Sequence, residues 1–226
     1  GVSEAKTAGQ CFADAVCNAN YNDIGKGVVL LNVARSDGLV YQCTGTLMND
    51  TDPATFRMLV LTAGHCMNTA QSVVAYFFYR STSCNGASPL KTSLPRTTQG
   101  GPILTQDAVL DFALLEFDGT VPAGVIFKGW SSTALKVGDP LVFIHHASNG
   151  TQSAFEISVS ALRTTPGAGG AVPVYTSSRS NNGAYSGASG AAAFDVFSGY
   201  VRGILTHGDS DTPLTCTDGT RYSSVV

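Results

Sequence analysis

The chain has 226 residues, 43% of them apolar, enough to build a substantial core in one large domain or two small ones. Only 13% are charged, about half the usual quarter, and 25 are glycine, which argues against a helical bundle and for short strands joined by turns. A net charge of −3 gives no basic stripe for nucleic acid, and no apolar run approaches the roughly 18 to 20 residues that cross a bilayer as a helix.

The sequence opens at Gly1 without Met, a basic segment or an apolar leader, and reads as a mature chain. Residues 1–23 are small and polar, carry Cys11 and Cys17, and read as an extension tied down by those cysteines. Short β-rich runs follow at Val28–Ala34, Leu39–Met48, Phe56–Leu61 and Ser72–Tyr79, separated by Asn, Asp, Gly, Ser and Pro. A second series is predicted at Pro102–Leu104, Phe112–Phe117, Pro140–His145, Ser153–Val159, Val172–Tyr175, Ala191–Phe197, Tyr200–Thr206 and Arg221–Val226. This spacing signals an all-β sandwich or barrel. The turn-rich stretch Asp118–Gly124 divides the strands into two sets, so the expected units are 24–119 and 120–226. Arg163–Gly170 and Ser177–Gly190 lack large apolar groups and read as loops, the second long enough to be functional.

Six cysteines, Cys11, Cys17, Cys43, Cys66, Cys84 and Cys216, form no C-x-x-C pair. An even, widely spaced set favours three disulfides and an oxidising compartment. Their spacing leaves fifteen pairings open.

Three short segments carry chemistry. Leu61-Thr62-Ala63-Gly64-His65-Cys66 runs from an apolar strand into a small-residue turn that presents a histidine, as a general base requires for close approach to nucleophile and substrate. Asp111 opens the apolar run Phe112–Phe117, where a carboxylate at a core rim can hold an imidazole in one tautomer; Asp107 is the rival position. Tyr185-Ser186-Gly187-Ala188-Ser189-Gly190-Ala191 places a serine between glycines, able to expose its Oγ on a tight turn while backbone N–H groups converge on an oxyanion. The order His, Asp, Ser puts two of these residues in the first strand set and the third in the second.

These segments resemble the three motifs of chymotrypsin-like serine proteases. Gly1-Val2-Ser3, Cys43-Thr44-Gly45-Thr46-Leu47, Val73-Val74-Ala75-Tyr76, Ile144-His145-His146 and Leu205-Thr206-His207-Gly208 extend the resemblance to the bacterial lysyl endopeptidase branch. The resemblance implies two packed antiparallel six-stranded β-barrels with the active site between them. It implies a secreted, monomeric endopeptidase without cofactor or metal, acting on polypeptides. His65 would be general base, Asp111 its orienter and Ser189 the nucleophile, with the N–H groups of Gly187 and Ser189 as oxyanion hole. Tyr185, Ser186, Thr206, His207 and Gly208 would line the substrate pocket, and the disulfides would be Cys11–Cys216, Cys17–Cys84 and Cys43–Cys66.

The chain also departs from the pattern. Ala188 stands where animal trypsins carry Asp, so activation by an ion pair from a new N-terminus is not expected. Ala191-Ala192 replaces a Gly-Pro or Ser-Pro, and Val226 falls in the expected last strand, before the family's C-terminal helix. Preference before the scissile bond divides two ways: Asp209, Asp211 or Asp218 in the pocket would select Lys or Arg, whereas Arg221 or His207 would select an acidic residue. A non-catalytic binding or adhesion module retaining the triad is the rival class. His145-His146 invites a metal, but no third ligand sits at a recognisable spacing, and a strand end with one buried and one exposed imidazole is expected.

Overall fold

The computed structural model describes residues 13–52, 54–55, 57–97, 102–147, 150–167, 170–178, 186–208 and 222–225, with backbone alone at 162–167, 170–178, 207–208 and 222–225. Two antiparallel sheets dominate it. The first takes β2 (Val28–Arg35), β3 (Val40–Met48), β4 (Met58–Ala63), β5 (Ala70–Tyr76), β6 (Ile103–Asp107) and β7 (Phe112–Phe117) in the order β5-β2-β3-β4-β7-β6. The second takes β1 (Ala13–Asp14), β8 (Pro140–His145), β9 (Ser153–Gly167), β10 (Gly170–Ser178), β11 (Ala192–Asp195), β12 (Val201–Gly208) and β13 (Tyr222–Val225). Six of these close a ring, β9-β10-β13-β12-β11-β8 and back to β9, and the two-residue β1 adds to β9 from outside. The described strands of the first sheet are also six, but their order stays open between β5 and β6, a half-barrel. The all-β expectation of two packed antiparallel sheets holds.

Three apolar clusters hold this arrangement. Val29, Leu31, Val33, Leu47, Val60, Leu115 and Phe117 fill the first sheet, and Leu141, Phe143, Phe155, Val159, Ala188 and Leu205 fill the second. The third cluster is the seam: Val28, Met48 and Leu59 from the first sheet meet Val142, Ile144, Ala192, Phe194 and Val201 from the second. Ala15, Tyr21 and Ile24 wedge into the same seam. β2 therefore reads as an unbroken Val-Val-Leu-Leu run instead of alternating, because both of its faces are covered. β7, half-covered on one face, alternates instead.

Most predicted strands appear within a few residues of their expected bounds. Arg163–Gly170 differs, since β9 runs to Gly167 and pairs in a long hairpin with β10, with Gly167 opposite Gly170. A ladder of backbone hydrogen bonds pairs these rungs, and such a ladder needs none of the large side chains that the reading of the sequence looked for. The loop predicted over Ser177–Gly190 begins with the end of β10 and finishes in two tight turns over 186–190; residues 179–185 lie outside the described residues. β1 and the short 3-10 helices Ala15–Cys17 and Ala19–Tyr21 were not foreseen.

Candidate active site

His65 sits in a 3-10 turn, Gly64–Met67, at the end of β4. Gly64 makes this turn possible: a Cβ there would stand 3.2 Å from the backbone of Asp111 and Phe112. Asp111 takes positive φ (52°), a left-handed conformation that Asp tolerates better than most residues at a cost of about 1 kcal/mol. That conformation folds its carboxylate back over the histidine. Oδ1 accepts the His65 backbone N–H at 2.7 Å, Oδ2 lies 2.8 Å from Nδ1, and the Asp111 carbonyl accepts the Gly64 N–H at 2.9 Å. An ionised carboxylate only accepts, so Nδ1 carries the proton and Nε2 is left as the acceptor. The imidazole keeps 41% of its surface open while Asp111 keeps 21%, so the base faces outward on a shielded orienter.

The rival Asp107 serves the same turn from below. Its Oδ1 accepts the N–H groups of Val109 (2.7 Å) and Leu110 (2.8 Å) and so shapes the loop that presents Asp111. Gln106 Nε2 donates to Gly64 O at 3.1 Å, and Arg35 Nη2 donates to the carbonyls of His65 (2.7 Å) and Cys66 (3.2 Å). The Cys43–Cys66 disulfide ties the turn to β3, and Cys17–Cys84 ties the N-terminal segment to the loop after β5. Both match expected pairings; Cys11–Cys216 lies outside the described residues. Cys43, Cys66 and His65 bring potential ligand atoms within 4.8 Å of one another, but the two sulfurs are bonded to each other and supply no thiolate to a metal.

Ser189 lies on the tight turns before β11, partly exposed, between buried Ala188 and buried Gly190. Its carbonyl accepts the Thr44 N–H at 2.9 Å and stands 3.9 Å from Cys66 Sγ, which brings the serine turn against the histidine turn. Gly190 (φ 83°) is required by this approach, because a Cβ would lie 2.5 Å from Thr44 O and 2.6 Å from Ala63 N, and closer still to Thr62 Oγ1. Gly187 also takes positive φ (98°). Ala188 is 1% exposed inside the core of the second sheet, a site with no room for a solvated carboxylate.

Of the expected pocket residues, Ser186 is exposed, Thr206 is buried on β12, and His207 and Gly208 continue that strand opposite Ser223 and Tyr222. Tyr185 and the candidates Asp209, Asp211, Asp218 and Arg221 lie outside the described residues. The reading of His145-His146 as one buried and one exposed imidazole is corrected, because both are buried, at 1% and 0%. His145 meets Phe155 edge-on at 5.4 Å, and His146 stacks on Tyr79 at 5.9 Å with Nδ1 3.1 Å from Gly150 O. Burial lowers the His146 pKa to about 4, helped by Lys91 and opposed by the Gly150 carbonyl.

Arg35, Gln106 and Thr44 escaped the reading of the sequence. For Thr44 a signal existed, since a threonine in the buried half of a strand usually finds partners for its hydroxyl.

Known proteins resemble the chain in sequence and in fold. A lysyl endopeptidase of Pseudomonas aeruginosa is 35% identical over 168 residues, spanning 70% of this chain and 36% of that protein. The chain thus covers about a third of the length of this curated relative. Among solved structures, the active form of the Rv3671c protease of M. tuberculosis superposes with a TM-score of 0.67 at 16% identity, covering 100% of this chain and 89% of that one. The HtrA-type protease AlgW gives 0.64 at 15% identity over 91% of this chain and 58% of that one. At such identities these structures speak for the fold alone. The model of the lysyl endopeptidase C-terminal domain matches residues 5–222, and with it the chain is placed: it belongs to that family.

Proposed function

We propose that the chain is a serine endopeptidase working through Ser189, His65 and Asp111. The observation that carries this reading is the double grip of Asp111 on His65, on the backbone N–H at 2.7 Å and on Nδ1 at 2.8 Å, which dedicates Nε2 to accepting a proton. In the proposed cycle Ser189 Oγ adds to the peptide carbonyl carbon as its proton passes to Nε2. The N–H groups of Gly187 and Ser189 take the oxyanion. Nε2 then returns the proton to the departing amine as the C–N bond breaks, and water releases the acyl group by the same steps in reverse.

The relative's name, lysyl endopeptidase, supports the Lys side of a Lys/Arg preference before the scissile bond. Two disulfides support action in an oxidising, extracellular setting on polypeptide substrates. Among the described residues no helix is long and apolar enough to cross a membrane. Labelling with a fluorophosphonate tests the chemistry: the native chain reacts and Ser189→Ala does not. Equal labelling of both removes Ser189 as nucleophile, and no labelling of either leaves a binding module. Peptides differing only before the scissile bond test the preference, with Lys cleaved fastest and Glu slowest. The reverse order transfers the pocket to a cationic residue.

A further inference from the structure

Thr44 has a backbone and a side chain devoted to the serine turn. We infer that it is a positioning residue that sets, from a strand of the first sheet, the two peptides flanking the Ser189 oxyanion donor in the second, an inference that rests on Ser189 being the nucleophile. Its N–H donates to Ser189 O (2.9 Å), and its Oγ1 donates to Gly187 O (2.9 Å) while accepting the His146 N–H (2.9 Å). Its own carbonyl accepts the Thr62 hydroxyl (2.8 Å). One hydroxyl proton and one lone pair are used, and the residue is fully buried, so none of these bonds has water as a substitute.

The peptide geometry shows why this matters. In a trans peptide each N–H points opposite to the carbonyl of the preceding residue, so the Ala188 carbonyl aims the Ser189 donor, while the Gly187 and Ser189 carbonyls fix the peptides on either side of it. The carbonyls of Gly187, Ala188 and Ser189 are all held: the first and third by Thr44, the second by the Ala191 N–H at 3.0 Å. Gly187 and Gly190 both sit at positive φ, where glycine gives the turn a freedom that no side chain restrains. Thr44 supplies that restraint from outside. Its hydroxyl anchors the residue whose own N–H is one of the two proposed oxyanion donors.

The test uses the native chain, Thr44→Val, which keeps shape and loses the hydroxyl, and Thr44→Ser, which keeps the hydroxyl. Turnover is read on the peptide amide preferred by the native chain, together with the affinity of a peptide boronate that mimics the tetrahedral intermediate. Thr44→Val is expected to lower kcat about 10- to 100-fold with KM within twofold, to weaken the boronate by the same factor, and Thr44→Ser to recover to within about threefold. Should Thr44→Val fail to fold by circular dichroism, Thr44→Ala takes its place against Thr44→Ser. A folded variant without the hydroxyl but with native kcat and boronate affinity overturns the inference, as does a loss confined to KM or a Thr44→Ser as impaired as Thr44→Val. A native chain that a fluorophosphonate does not label overturns the proposed function and this inference with it. A labelled native chain indifferent to the loss of the Thr44 hydroxyl overturns this inference alone.

Discussion

The two halves of the site are held in different ways. The histidine turn is secured within its own sheet, by Asp111, Gln106 and Arg35 and by the Cys43–Cys66 disulfide to the neighbouring strand. The serine turn takes two of its restraints, both from Thr44, from the opposite sheet, and its glycines let it lie close enough to receive them. Base and orienter thus form a unit that survives small shifts of the seam, whereas the turn bearing the nucleophile keeps, among the described residues, only its Ala191 and Leu205 bonds when the two sheets part.

This contrast can be broken or sharpened, beginning with chemistry. Asp111→Asn should leave the fold intact and lower kcat about 10⁴-fold, because an amide in that place stabilises the wrong tautomer of His65; a loss under tenfold would dissolve the unit on the first-sheet side. Gly190→Ala acts on the other half. Its Cβ meets backbone at 2.5 and 2.6 Å at a φ of 83°, so unfolding free energy should fall by about 3 kcal/mol or more and activity with it, as urea titration and turnover would report. Ala188→Asp, which puts a carboxylate in a core position 1% exposed, should destabilise by about 3 kcal/mol, and a native unfolding midpoint would show that the serine turn has room to spare.

Acid provides a gentler probe of the seam. His146, whose N–H is bound to Thr44, has a pKa lowered to about 4, so below the ordinary imidazole range the unfolded chain takes a proton that the folded chain refuses. The sign follows: its contribution is whole above about pH 6.5 and is lost as pH falls towards 4, by up to about 3 kcal/mol, and His146→Gln should flatten that part of the stability profile. The smallest effect is expected on the surface. Arg57 and Glu116 form a two-bonded pair at 2.8 and 2.6 Å in the open, and Glu116→Gln should leave the unfolding midpoint where it was.

Much of this was legible in the residues. Strands came from apolar patterning, and β2 and β7 show why, one covered on both faces and the other on one. Small residues around His65 and Ser189 marked both turns, because close approach leaves no alternative to Gly and Ala there. The long β9–β10 hairpin was hidden, since a backbone ladder can form where the sequence offers no run of large apolar residues. Asp111 was readable only in company, because a carboxylate before a strand is common and its left-handed backbone leaves no mark in sequence. His145 and His146 were half misread, because stacking on Phe155 and Tyr79 depends on strands distant in the chain. Thr44 shows the same limit: the partners of its hydroxyl lie more than a hundred residues away.

Gln152 gives the seam a chronology. Its buried amide donates to the carbonyls of Gly25 (2.7 Å) and Val28 (3.1 Å), its N–H to Tyr79 O (3.1 Å), and its carbonyl accepts the Ala15 N–H (3.2 Å). During synthesis the described strands of the first sheet are all present once Phe117 emerges, and the segment leading into it can by then be tied to the loop after β5 through Cys17–Cys84, but its seat on Gln152 follows some thirty-five residues later. A nascent chain halted before residue 152 would hold a paired first sheet and a preceding segment tethered at Cys17 but not yet seated, a window in which protease digestion would clip near Ala15 and spare β2.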